Sequence, residues 1–277
     1  MTTNEALQMG EASLPKRRGI PEPRREARWL LARAWGVDET SLRVHPEREL
    51  PAEVEARYRA WLERRAVGEP AHHLTGSCDF WGRDFAVSPA ALVPRPETEL
   101  LVRVALELPV NANARVLDVG TGSGCLAVTL AAERPRWRLA AVDRSAAALA
   151  VARANARRHG VEVACFMGDL TSAVAPPLDL VVANLPYIPS SDLPGLPVEV
   201  RHDPPSALDG GADGLDLVRR LVADLGRILR LCGAAVLELG EDQADEVARL
   251  AVSCGLGVAR RIPDPGGVER VIALQPR

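Results

Sequence analysis

The 277-residue chain is short of aromatic side chains, of cysteine in any metal-binding pattern, and of long apolar runs. Aromatics make up 4% of it, with only two tyrosines, too few for a surface that stacks nucleic-acid bases generously. Its five cysteines (Cys78, Cys125, Cys165, Cys232 and Cys254) are scattered, with no Cys-x-x-Cys and no Cys/His pairing. That reads as reduced thiols serving mostly as core filler, and no metal site is expected. No apolar run approaches about 18 residues, so no membrane-spanning helix is expected. The first residues, MTTNEALQMGEASLPKRRG, hold no apolar segment able to act as a signal peptide, so a cytoplasmic location is expected. Nor is there an excess of positive charge: 34 basic residues face 37 acidic ones, a net charge of −3, which does not mark a polyanion binder.

What is present is an ordinary globular composition, 47% hydrophobic, long enough for one large domain or two modest ones. From Arg24 to Trp35 the apolar residues Ala27, Leu30, Leu31 and Ala34 follow helical spacing. A second helix is predicted from Pro51, a favourable first position, to about Val67, with Val54, Tyr58, Trp61, Leu62 and Arg65 on one face. A short helix fits around Glu5–Ser13. Residues 1–73 therefore read as a small helical N-terminal domain. Its arginines Arg24, Arg25, Arg28, Arg57, Arg59, Arg64 and Arg65 are either a solvated face, the more ordinary reading, or a contact for an acidic partner. Residues 74–93 read as a β-hairpin linker turning at Gly82, Arg83 and Asp84.

Residues 94–277 alternate strand and helix. Strands are expected at Val116–Val119, Leu139–Val142, Val163–Phe166, Leu180–Ala183 and Ala234–Glu238, with helices such as Ser145–His159 between them. That alternation gives an α/β domain with a mainly parallel sheet covered on both faces. The last two apolar runs, around Leu256–Arg260 and Val268–Leu274, lack an intervening helix and are expected to pair as an antiparallel hairpin at the edge.

RVLDVGTGSGCLAVTLA reads as strand, glycine loop and helix, with Gly120, Gly122 and Gly124 turning backbone amides towards a ligand at a helix N-terminus. The spacing is GxGxG, and Asp118 stands just ahead of it. A carboxylate there repels a pyrophosphate but welcomes a cation. S-adenosylmethionine carries an ammonium and a sulfonium and no phosphate. Asp143, ending the second strand, is placed to accept the two ribose hydroxyls. Asp169 is placed to accept from an adenine amino group, and Leu170 to cover the ring.

The fourth strand delivers Asn184-Leu185-Pro186-Tyr187 to the carboxyl end of the sheet, where ligands of such folds bind. A planar amide or exocyclic amine is a poor nucleophile because its lone pair is delocalised. Two acceptors aimed at its N–H groups orient it and stabilise the positive charge that develops as a methyl group arrives. The Asn184 side-chain oxygen supplies one acceptor and the carbonyl of Leu185 the other. Pro186 fixes the turn, and the Tyr187 ring walls the acceptor plane. The commoner proline at position 185 is absent, and a position read through its carbonyl tolerates the change.

From about Pro23 to Ile272 the chain resembles the protein-glutamine methyltransferases that modify peptide-chain release factors, the PrmC/HemK family. The resemblance rests on RRAVGEPAHHLTGSCDFWGRDFAVSPAALVPRPETE, LDVGTGSGCLAV, ANLPYIP, RHDPPSALDGGADGLDL and DPGGVERVIAL. The glycine loop is shared by very many methyltransferases and the Asn-x-Pro-Tyr loop by those acting on planar nitrogens. LVPRPETE with HDPPSALDGGADGLDL is far more specific. The resemblance implies the seven-stranded class I S-adenosylmethionine-dependent methyltransferase fold, Rossmann-like, behind a helical N-terminal domain. It implies as substrate the glutamine of the Gly-Gly-Gln loop of release factors, with S-adenosylhomocysteine as the second product. By position, Gly120, Thr121, Gly122, Ser123, Gly124, Asp143 and Leu170 would bind the cofactor. Asn184 would meet both cofactor and substrate, and residues 184–187 would hold the glutamine amide. The family often carries an aromatic residue where Leu170 stands. Segment 94–99 is equally a cover over the site and a plain connector. A monomer working without direct nucleic-acid contact is expected. A glutamine methyltransferase of a ribosomal protein would share fold, loop and chemistry. Ribosomal RNA adenine methyltransferases share the Asn-Leu-Pro-Tyr loop, but would carry their smaller domain after the methyltransferase core.

Overall fold

Thr2 and Glu5 form a capping box at the first helix: Thr2 Oγ1 accepts from the Glu5 N–H and the Glu5 carboxylate accepts from the Thr2 N–H. That helix is α1 (Thr3–Ser13), followed by α2 (Pro23–Trp35), α3 (Glu39–Val44), α4 (Ala52–Ala66) and α5 (Ala71–Thr75). The computed structural model describes residues 1–14, 20, 22–172 and 174–277. Its contacts divide the chain into two units: 1–77 with 195–202, and 78–194 with 203–277.

In the first unit α2 buries Ala27, Leu30, Leu31 and Ala34, the face its spacing predicts, and ends at Gly36 in the left-handed region with φ 73°. Pro51 caps α4 from outside, so that helix starts one residue later than expected. Tyr58 is fully buried, and its hydroxyl donates to the Ala27 carbonyl at 3.1 Å. Gly10 makes room for it, since a Cβ there would lie 2.0 Å from the Tyr58 oxygen. Arg65 is 2% exposed and pairs with Glu26 and, at 2.9 Å, with Glu199 of the 195–202 segment. Arg28, Arg59 and Arg64 likewise pair with Glu39, Glu55 and Glu69. Most of the predicted basic face is thus neutralised locally, and Arg65 is not on the surface.

The hairpin consists of β1 (Ser77–Phe80) and β2 (Arg83–Ala86). It turns at Trp81 (φ 52°) and Gly82 (φ 67°), one residue earlier than the sequence suggested. Phe80 and Phe85 are buried. Asn155 grips it by accepting from the Ala86 N–H at 2.8 Å and donating to the Ala86 carbonyl at 2.9 Å.

The second unit continues with α6 (Thr98–Glu107), β3 (Arg115–Val119), α7 (Cys125–Glu133), β4 (Arg138–Asp143), α8 (Ala146–Arg158) and β5 (Val163–Met167). It ends with β6 (Leu178–Ala183), α9 (Asp216–Ile228), β7 (Leu229–Glu238), α10 (Ala244–Ser253), β8 (Leu256–Pro263) and β9 (Glu269–Pro276). The seven strands run in the order β5-β4-β3-β6-β7-β9-β8, with β9 antiparallel to both of its neighbours and the other pairings parallel. This is the predicted seven-stranded α/β sheet. The C-terminal hairpin occupies one edge, with β9 inserted between β7 and β8.

Strand alternation splits the core in two. Val116, Leu180 and Val182 join one layer with α6 and α7, while Leu117, Val119, Val181 and Ala183 join the other with α9 and α10. Both faces are therefore dry, and polar ligands are confined to the strand ends. Among the described residues no helix is long and apolar enough to cross a membrane.

Candidate active site

Strand order reverses between β3 and β6, and a crevice opens at the carboxyl ends of strands at such a switch point. The glycine loop leaves β3 there. Gly120, Gly122 and Gly124 have φ of 72°, 55° and 80°, values that residues with a Cβ rarely adopt. The Gly120 and Thr121 N–H groups both donate to the Val142 carbonyl, at 2.9 and 3.1 Å, which ties the loop to β4. Asp143 closes the turn from the other side. Its two oxygens accept from the Gly122 N–H at 2.9 Å and the Ser145 N–H at 2.8 Å, while Ser145 caps α8. Asn155, fully buried in α8, donates to the Ser123 carbonyl at 2.8 Å.

Asp118 lies beneath this loop with no exposed surface. One carboxyl oxygen accepts from the Thr121 hydroxyl at 2.6 Å and the Ala127 N–H at 3.2 Å, and the other has no partner. Burial pushes its pKa up to about 7 against those hydrogen bonds. Asp118 braces the loop from behind and is not among the residues that line the cavity.

In front of the loop is a cavity of about 320 Å³. Its walls are 119–123 from the loop, Asp143 with its neighbours Val142, Arg144 and Ser145, and Gly168 with Leu170. Asn184, Leu185 and Pro186 line it too, together with Pro94, Arg95 and Thr98 and with Pro204, Ser206 and Ala207. The last two groups belong to the two family-specific motifs. They are joined directly: Arg95 donates to the Asp203 carboxylate at 2.6 Å, and the Val93 N–H donates to its other oxygen at 3.3 Å. Segment 94–98 is therefore a wall of the cavity as well as a connector.

The structure brings residues 120–123 of the glycine loop, Asp143, Leu170, Asn184, Leu185 and Pro186 onto one cavity, and leaves Asp118, Gly124, Asp169 and Tyr187 off its wall. Asp169 pairs with Arg220 at 2.5 Å, while its second oxygen is buried without a partner. Tyr187 lines the neighbouring groove with Gly240, Gln243 and Arg270. Gln243 donates to its carbonyl at 3.0 Å and, through its own oxygen, accepts from the Gly240 N–H at 2.8 Å, which pins the turn. Burial pushes the Tyr187 phenol up to about 12, so it stays protonated. Leu185 is 4% exposed, belongs to the core layer on its side of the sheet, and sits with Cδ2 3.0 Å from where a Cβ of Gly120 would be. Its side chain is the prop behind the glycine loop, so position 185 is not read through its carbonyl alone.

Sequence reasoning missed Thr98 and Glu238. Asn184 Nδ2 donates to Thr98 Oγ1 at 3.0 Å. Thr98 is 2% exposed and Glu238 3%. Glu238 ends β7, and burial raises its pKa to about 7, with polar interaction from Thr98 and Asn184 opposing the rise. The available signals were a threonine inside RPETE and a lone acid ending an otherwise apolar strand, AAVLELG.

Two family models match the chain, the PrmC N-terminal domain over residues 5–76 and the methyltransferase small domain over 96–193. The release factor glutamine methyltransferase of Geobacter sulfurreducens is 40% identical over 257 residues, spanning 92% of this chain and 90% of the relative. That of Cereibacter sphaeroides is 42% identical over 260 residues, spanning 93% and 92%. The chain belongs to the release factor glutamine methyltransferase family. It is a methyltransferase. A Pyrococcus furiosus methyltransferase shares the fold with a TM-score of 0.54 at 17% identity, over 79% of this chain and 97% of that one. A Thermus thermophilus 16S rRNA N2 G1207 methyltransferase in complex with AdoMet and guanosine shares it with a TM-score of 0.52 at 17% identity, over 73% and 50%.

The residues present fit the donor of this methyltransferase family. A loop of left-handed glycines faces the cavity, a carboxylate ends β4, and the partnerless oxygen of Asp169 follows β5.

Proposed function

We propose that this enzyme methylates the side-chain amide nitrogen of the glutamine in the Gly-Gly-Gln loop of peptide-chain release factors. The observation that carries the reading is the convergence of Asn184 and the glycine loop on one cavity whose remaining walls are 94–98 and 204–207. S-adenosylmethionine supplies an electrophilic methyl group. Gly120, Thr121, Gly122, Ser123 and Gly124 form its cradle, Asp143 accepts from the ribose, and Leu170 covers the adenine. Asp169 takes the adenine amino group through its partnerless oxygen, and Asp118 holds the loop in shape. The Asn184 oxygen and the Leu185 carbonyl accept the two N–H groups of the substrate amide, fix its plane and stabilise charge as it develops. Pro186 and Tyr187 hold that loop. The helical N-terminal domain recognises the protein substrate, and the enzyme acts as a cytoplasmic monomer without direct nucleic-acid contact. The same geometry serves any primary amide. The choice of release factors over a ribosomal protein is supported by the names of relatives that match over nine-tenths of the chain.

The test is labelled S-adenosylmethionine offered with a release factor, its Gln→Ala variant, a ribosomal protein, or ribosomal RNA. Label in the release factor that is absent from the Gln→Ala variant is the expected result. Label in RNA or the ribosomal protein alone overturns the reading.

A further inference from the structure

Asn155 is a polar side chain in an apolar place. Ala148, Ala152 and Asn155 succeed one another at helical spacing, so they share one face of α8. That face runs along the glycine loop. Ala148 lines the cavity, and a Cβ added to Gly124 would stand 3.0 Å from both Cα and Cβ of Ala152. Asn155 has no exposed surface and is not among the residues that line the cavity.

A side-chain amide offers two N–H donors and a carbonyl acceptor, and Asn155 commits all three. Nδ2 donates to the Ser123 carbonyl at 2.8 Å and to the Ala86 carbonyl at 2.9 Å, while Oδ1 accepts from the Ala86 N–H at 2.8 Å. A buried polar group satisfied in this way is rigid. A carboxylate of the same shape lacks the two donors, and leucine lacks all three groups.

The amide joins two walls of the cavity. Ser123 belongs to the glycine loop. Ala86 ends β2, and the chain after it returns to the cavity at Ala90, Ala91, Leu92, Pro94 and Arg95. The two walls come close, since a Cβ added to Gly122 would stand 3.9 Å from the Cβ of Ala91. The hairpin has further anchors on α8: Arg158 pairs with Asp84, and His159 Nε2 lies 3.0 Å from the Asp84 carbonyl. These hold the hairpin to the helix, and Asn155 ties both to the loop.

We propose that Asn155 is a positioning residue for cofactor binding, which fixes the glycine loop against the segment following β2 and so couples the hairpin to the cofactor. The inference rests on the reading that the loop cradles S-adenosylmethionine. Such a coupling is reciprocal: the hairpin supports the cofactor, and the cofactor steadies the hairpin.

The test compares two variants of the full chain. Asn155→Ala removes all three hydrogen bonds. Asp84→Ala removes the Arg158 pair from the same hairpin and leaves the Ser123 hydrogen bond in place. Isothermal titration with S-adenosylmethionine is expected to show Kd raised at least about tenfold in Asn155→Ala and within about twofold of wild type in Asp84→Ala. With a release factor as substrate, the KM for cofactor should rise in parallel while kcat at saturating cofactor stays within about threefold. An Asn155→Ala variant that melts lower yet binds cofactor like wild type overturns the proposal. So does an Asp84→Ala variant whose affinity falls as far as that of Asn155→Ala. Hydrogen exchange in the wild-type chain tests the coupling with no variant at all. Saturating S-adenosylmethionine should slow the Ala86 amide at least about fivefold more than the Trp81 amide, which donates to Glu99 at 2.7 Å at the hairpin turn. Equal slowing of the two amides overturns the proposal. A wild-type chain that takes up no S-adenosylmethionine would instead sink the cofactor reading on which the proposal stands, a result distinct from binding that the variants leave unchanged.

Discussion

Leu185→Ala separates two ideas about the acceptor loop. If position 185 matters only for its carbonyl, alanine serves as well as leucine. The structure says otherwise, because the leucine side chain is 4% exposed and props Gly120, with Cδ2 3.0 Å from the site of an added Cβ. Truncation removes three buried carbons, about 2–3 kcal/mol of transfer free energy at roughly 0.8 kcal/mol each. The cavity left behind brings the loss to about 3 kcal/mol, within the range measured for buried leucines. For a protein of this size that corresponds to a fall of about 6–12 °C in Tm. The void opens under the glycine loop, so cofactor affinity should weaken as well. About 1 kcal/mol of loop disorder would raise Kd roughly fivefold. Leu185→Met, which conserves volume, should cost less than about 1.5 kcal/mol and leave Kd near wild type. Calorimetric melting and isothermal titration with S-adenosylmethionine measure both quantities. An alanine variant that melts and binds cofactor like wild type would refute the prop and restore the carbonyl-only account.

Asn184→Ala should retain most cofactor affinity while kcat falls about a hundredfold or more, the scale of losing a preorganised charge-stabilising acceptor; near-normal turnover in a methyl-transfer assay would defeat that role. Arg95→Ala takes the guanidinium from the buried Asp203 carboxylate, 2.6 Å away, and should raise the KM for the protein substrate more than it changes cofactor Kd; equal effects on both would remove 94–98 from the substrate side of the cavity. Glu238 has its folded-state pKa raised from 4.5 to about 7, so its stabilising contribution is complete below about pH 4.5 and lost as pH rises through 7. Glu238→Gln should therefore gain stability relative to wild type by up to about 3 kcal/mol between pH 5 and pH 8, at about 1.4 kcal/mol per pKa unit; a difference in Tm that does not vary with pH would contradict the linkage.

The parallel core was legible because its information is local. Leu180–Ala183 and Val116–Val119 are short apolar runs, Ser145 and Gly160 are cap and stop, and the glycines of 120–124 admit only a few backbone courses. Asn184 was legible for the same reason: a polar side chain directly after a buried strand marks the end of the sheet. The surroundings of Asp118, Leu185 and Thr98 were hidden because each depends on how the chain folds back on itself. Asp118 precedes the glycines and looks like a ligand group. It becomes a brace only when the Thr121 hydroxyl and the Ala127 amide are seen to claim one of its oxygens. Leu185 looked like a neutral replacement until the course of the loop placed Gly120 against it.

The same dependence explains why the acceptor loop is not a self-contained motif. Four residues, 184–187, provide an amide, a carbonyl and a turn, but nothing within them decides which end of the Asn184 amide faces the cavity. Around them Thr98 of α6 accepts from the Asn184 nitrogen at 3.0 Å, Gln243 donates to the Tyr187 carbonyl, and Leu185 packs beside the cofactor loop. The loop transfers chemistry only when three neighbouring elements agree about its orientation. An Asn-Leu-Pro-Tyr sequence therefore names a class of nitrogen, and the surrounding residues of the fold make it an acceptor for one.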